Sequence, residues 1–93
     1  MSTRQDRERA TLAGHEAERF MQNPQFVQAV EDIESDLYTQ WRKSGPDDTK
    51  LREELWWSQY ALDVLQKRLR KPIDEGTIAE QEQKQDNFQQ RLD

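Results

Sequence analysis

The sequence predicts an all-α protein: an antiparallel helical hairpin with an additional N-terminal helix and a polar, partly disordered C-terminal tail. Two apolar stripes and the break between them carry the prediction. Phe26, Val30, Ile33, Leu37 and Trp41 recur at three- and four-residue spacing, and so do Leu51, Leu55, Ser58, Leu62, Leu65 and Leu69. Such spacing puts each set on one face of a helix. Between them stands "SGPDDT", residues 44–49, too short to do more than reverse the chain.

The first hairpin helix is expected over residues 24–43. In "NPQF", Asn23 can cap and Pro24 occupies the first helical position, where its missing N–H costs nothing. Val27 and Tyr38 widen its apolar face, and Trp41 completes the stripe as a core residue. Glu31, Asp32, Glu34 and Asp36 decorate the rest, while Arg42 and Lys43 suit the negative end of the dipole. Gly45 can take a left-handed cap, Pro46 stops continuation, and Asp48 or Asp47 can cap the next helix. That second hairpin helix is expected over residues 50–70, ending before Pro72.

The flanks are less regular. Residues 1–10, "MSTRQDRERA", have little to bury and are expected as a disordered arm. A helix over residues 12–22 would present Leu12, His15, Arg19, Phe20 and Met21, with Thr11 or Ser2 as cap and Gly14 weakening its centre. These elements make one domain over residues 11–78, with a Gln/Glu-rich tail over 79–93. In that tail only Phe88 and Leu92 could serve as anchors, and it would order on a partner.

Composition narrows the function. Of 93 residues, 32% are hydrophobic and 35% charged, a thin core inventory for which self-association is a common remedy. Net charge is -5, with six acids and two bases in residues 74–93 and the reverse bias, six bases and three acids, in residues 50–71. The absence of cysteine removes disulfides and thiolate chemistry. No leader peptide and no membrane span are expected, which suits a soluble protein.

No catalytic, metal or cofactor site is expected. The one histidine, His15, has at best Glu18 as a second ligand, and Asp32 and Asp36 share a face that should point to water. A hairpin this small offers little depth for shifting a pKa. The basic strip of Lys50, Arg52, Lys67, Arg68, Arg70 and Lys71 reads first as a solvated surface. Lys67, Arg70 and Lys71 share a flank and are its candidates for nucleic-acid contact.

The adjacent Trp56 and Trp57 are the strongest functional signal. Neighbours on a helix point about 100° apart. Trp57 aligns with Tyr60, Ala61 and Val64 as a second apolar flank beside the leucine seam, with Trp56 on the opposite shoulder. One partner helix cannot cover both flanks. Trp56, Trp57, Tyr60 and Val64 are therefore the expected protein interface, covered either by the N-terminal helix through Leu12, Phe20 and Met21 or by another molecule.

The segments "NPQFVQAVEDIESDLYTQWRKS", "DDTKLREELWWSQYALDVLQKRLR" and "IDEGTIA" resemble small helical proteins from the structural-gene modules of tailed bacteriophages and prophages. Phe26, Ala29, Ile33, Glu34, Leu37 and Trp41 carry the "FxxAxxxIExxLxxxW" pattern of their first helix, and the resemblance as a whole runs from Pro24 to about Ile78, a little more than half the chain. The double tryptophan and the tail after Glu80 depart from it. The resemblance implies a non-enzymatic assembly component of a phage head or tail, an oligomerisation or adaptor module. Its partners would be itself and other particle proteins, in the host cytoplasm during assembly or in the virion. The alternatives are a DNA-packaging oligomer resembling a small terminase subunit and an inhibitor that binds one host protein.

Overall fold

The computed structural model describes residues 3–92 and contains three helices, with no strand among the described residues. These are α1 (Arg4–Gln22), α2 (Pro24–Lys43) and α3 (Thr49–Leu92). The protein is all-α, and α2 with the start of α3 forms the expected hairpin. Its contacts divide it into two compact units, residues 22–67 and residues 1–21 with 68–93.

The hairpin unit follows the sequence closely. Asn23 Oδ1 accepts from the N–H groups of Gln25 (2.9 Å) and Phe26 (3.3 Å), and Pro24 opens the helix. The Ser44 N–H donates to the carbonyls of Gln40 and Trp41, and its hydroxyl donates to Trp41 O at 2.7 Å. Gly45 is not a left-handed cap, since no described residue has positive φ. Instead the Gly45 N–H donates to Asp48 Oδ2 at 2.7 Å and the Asp48 N–H returns to Gly45 O. Asp48 thus closes the loop at the expected start of the next helix.

The hairpin core is narrower than its stripes. Leu55 and Leu62, seven residues apart, are its buried side chains, at 6% and 7% exposure, with Leu37, Phe26 and Val30 half-buried opposite. Leu51, Leu65, Ile33 and Trp41 stay exposed. A single partner helix shields one column of side chains, so the neighbouring column of each predicted seam is left at the edge. Ser58, the polar member of the predicted seam, is exposed and satisfies itself by donating to Glu54 O at 2.9 Å. Arg52 is not part of a solvated basic strip. Its guanidinium lies 4.5 Å from the centre of the Trp41 ring and its Nε donates to Ser44 Oγ at 3.0 Å.

The other unit departs from expectation at three places. α1 begins at Arg4, so most of the expected arm is helix; residues 1 and 2, including the candidate cap Ser2, lie outside the described residues. Thr3 caps instead of Thr11: Thr3 Oγ1 accepts from the Asp6 N–H at 3.1 Å, and Asp6 Oδ2 accepts from the Thr3 N–H at 3.2 Å. This is a reciprocal capping box. The inward face of α1 is Arg7, Ala10, Gly14, Ala17 and Met21, in steps of three and four. Leu12 and Phe20, which the apolar reading selected, are exposed.

The third departure is α3 itself, which passes through Pro72 and continues to Leu92. Proline removes one backbone hydrogen bond and disfavours a helix interior by about 3 kcal/mol. At this turn α1 packs directly against the α3 backbone. Gly14 and Gly76 face each other so closely that a Cβ on Gly14 would lie 2.8 Å from Pro72 O and 3.1 Å from Gly76 Cα. A Cβ on Gly76 would lie 2.9 Å from Ala10 O. The two backbones therefore touch, and only glycine fits at both points. Ala79 is buried beside them.

Polar side chains close the ends of this crossing. Arg7, with 17% of its side chain exposed, donates from Nε to Gln83 Oε1 at 3.2 Å and pairs through Nη2 with Asp86 Oδ2 at 2.6 Å. His15 Nε2 lies 2.5 Å from Glu80 Oε1. Arg7 meets residues 83 and 86 while Gly14 meets 72 and 76, so α1 and this part of α3 run antiparallel. The Gln/Glu-rich segment expected as a tail is thus helix partnered by α1. Phe88 is exposed, and the side chain of Leu92 and residue 93 lie outside the described residues.

Candidate protein interface on helix α3

The hairpin unit presents one patch of large exposed rings. Trp56, Trp57 and Tyr60 are 59%, 55% and 52% exposed, and each touches the other two. Trp56 and Tyr60 stack with centroids 5.6 Å apart and planes 5° from parallel. Trp57 meets both edge-on, at 4.9 Å from Trp56 and 5.9 Å from Tyr60.

The expectation that Trp56 sits on the opposite shoulder from Tyr60 is corrected by this stack. Residues four apart lie one above the other on a helix, and a long side chain leans back toward the N-terminus. Tyr60 leans onto Trp56 for that reason, and the shoulder becomes part of the patch. Trp56 also borders an apolar groove with Leu37, Tyr38 and Trp41 of α2 and Leu55 beneath it. Val64, one turn beyond Tyr60, is half-buried. All four predicted interface residues thus occupy adjoining positions on α3.

The rings are held by geometry rather than by polar partners. Mutual aromatic contacts of this kind are worth about 0.5–1.5 kcal/mol each beyond the area they bury.

The predicted cations Lys67, Arg70 and Lys71 are all exposed on α3. Lys71 Nζ lies 4.0 Å from Glu75 Oε1, a solvent-exposed i, i+4 pair of little energetic weight. Asp32, one of the acids considered for a metal patch, accepts from Gln28 Nε2 at 2.8 Å. Among the described residues no three His, Cys, Asp or Glu side chains converge as a metal site would require. No described helix is long and apolar enough to cross a membrane.

Sequence reasoning missed the Gly14–Gly76 crossing and the Arg7 bridge. The available signal was two glycines, each followed or preceded by alanine at helical spacing, in helices that hydrophobic periodicity alone ranks low. Comparisons with models of protein families, with curated proteins and with solved structures find no match to this chain.

Proposed function

We propose that this chain is a non-enzymatic association module, acting by protein–protein contact through the Trp56, Trp57, Tyr60 and Val64 flank. The observation that carries this reading is the exposure of three mutually touching rings. Single apolar side chains on a surface are ordinary. A contiguous aromatic group is the composition of binding hot spots, where buried Trp and Tyr supply most of the energy. The resemblance to phage structural-gene proteins supplies the setting: assembly of a head or tail in the host cytoplasm, with itself and other particle proteins as partners.

The test is the molecular mass in solution across concentration, by sedimentation equilibrium, for the wild-type chain and for Trp57→Ala. The reading requires concentration-dependent association that the substitution weakens while helicity is kept. Two monomers of equal stability would reject it. A DNA-binding oligomer is the second reading, favoured by the three exposed cations. It requires DNA affinity that falls steeply with salt and with loss of charge at Lys67, Arg70 and Lys71.

A further inference from the structure

The surface of α3 carries a second seven-residue pattern, outside the leucine column. Glu53, Trp57, Tyr60, Val64 and Lys67 succeed one another in steps of four, three, four and three. They therefore form one straight stripe along the helix. Its middle is apolar, its first end acidic and its last end basic. Glu53 and Lys67 are exposed, and neither has an ion-pair partner among the described residues.

We infer that this stripe pairs with the same stripe of a second copy, antiparallel, about a two-fold axis passing beside Tyr60. The inference rests on the association reading above and names its partner and register. The order of residues is its own complement under that symmetry. With Tyr60 on the axis, Tyr60 meets Tyr60 of the second copy. Trp57 then meets Val64 of the second copy, and Glu53 meets Lys67, each to within one helical rise of about 1.5 Å. A two-fold contact makes each pairing twice. Parallel pairing would instead set Glu53 on Glu53 and Lys67 on Lys67, and like charges across an interface are unfavourable. One turn beyond the stripe Lys50 would meet Lys71, a like-charge pair that the exposed Glu75, 4.0 Å from Lys71, relieves only slightly. Parallel pairing sets like charges at these positions too, so the inner Glu53–Lys67 pairs decide the register.

Charge exchange tests the register. Glu53→Lys puts like charges at both symmetry-related pairs, and Lys67→Glu does the same. Each single variant should raise the dimer dissociation constant about tenfold, and the double variant E53K/K67E should restore it to within about threefold of wild type. Proximity at the axis is tested by cross-linking, because the chain has no cysteine of its own. Tyr60→Cys should give a covalent dimer on mild oxidation, and Thr39→Cys, on the exposed side of α2, should not. A double variant no tighter than either single, or equal cross-linking at positions 60 and 39, overturns the antiparallel register. If wild type still associates in that case, the association reading stands without it. A wild-type chain that is monomeric at every concentration overturns both.

Discussion

In one unit of this chain the helices meet backbone to backbone; in the other they meet through large side chains that only partly cover one another. α1 and the C-terminal part of α3 touch at Gly14 and Gly76, bury Ala79, and close their ends with Arg7, Gln83 and Asp86. The hairpin buries Leu55 and Leu62 and leaves Trp56, Trp57 and Tyr60 more than half exposed. Small residues let two helices satisfy each other with little apolar surface. Large residues supply more apolar surface than one partner helix covers, and the surplus stays exposed.

The largest expected effect breaks the hairpin side. Leu62→Ala should destabilise the protein by about 2–4 kcal/mol, since it empties one of two buried leucine positions. Leu65→Ala, at the exposed edge of the same seam, should cost under about 1 kcal/mol. Equal losses in urea denaturation would mean that the core is wider than the Leu55–Leu62 column.

The next effect breaks the other side. Gly14→Ala in an exposed helix would stabilise by about 1 kcal/mol through helix propensity. Here the new Cβ meets Pro72 O at 2.8 Å and Gly76 Cα at 3.1 Å, and neither backbone atom can swing away. Overpacking of about 1–3 kcal/mol should win, giving a net loss in thermal or chemical unfolding. A gain in stability would show that the two backbones are not in contact.

This contrast also explains what is legible in the residues. The hairpin helix α2 can be bounded because its signals are local: Asn23 and Pro24 at one end, Ser44 and Gly45 at the other. Apolar periodicity then finds Leu55 and Leu62. It cannot tell which column a single partner helix will shield, so it places Leu51 and Leu65 too deep. For α1 it selects the wrong face, because the inward residues are Arg7, Ala10, Gly14 and Ala17, which no hydrophobicity scale ranks high. Their role is defined only by the part of α3 around Gly76, Gln83 and Asp86, about sixty or more residues away. Pro72 reads as a stop because its local cost is real, and the contact made at this turn is again with that distant Gly14. The aromatic patch is legible as a candidate interface, but the Trp56–Tyr60 stack needs the lean of helical side chains.

Asn23→Ala should have a smaller effect, about 1 kcal/mol, because two N–H groups at the start of α2 lose their acceptor. Asn23→Ser should recover most of it; no recovery would assign the loss to something other than the cap.

The smallest effect is electrostatic. The backbone and hydroxyl of Thr3 hold the Asp6 carboxyl below its usual value of 3.8, with a further contribution from Arg9. A lowered folded-state pKa stabilises above the unfolded value and is lost as pH falls through the folded one. The start of α1 should therefore fray only below about pH 3.8, as read from the NMR titration of Asp6. Thr3→Ala removes the hydroxyl but keeps the backbone N–H, so it should return that titration only part of the way to the ordinary value; a return all the way would contradict the backbone half of the capping box.

The central proposal is that the exposed aromatic flank of the hairpin unit is a contact surface for another protein, while the glycine crossing is held by its own backbone contacts. The concentration dependence of the thermal midpoint tests it most directly, because only association makes that midpoint rise with protein concentration. The account predicts a rising midpoint for wild type, a lower midpoint with the same slope for Gly14→Ala, and no slope for Trp57→Ala. A wild-type midpoint independent of concentration, or a slope that survives Trp57→Ala, would contradict it.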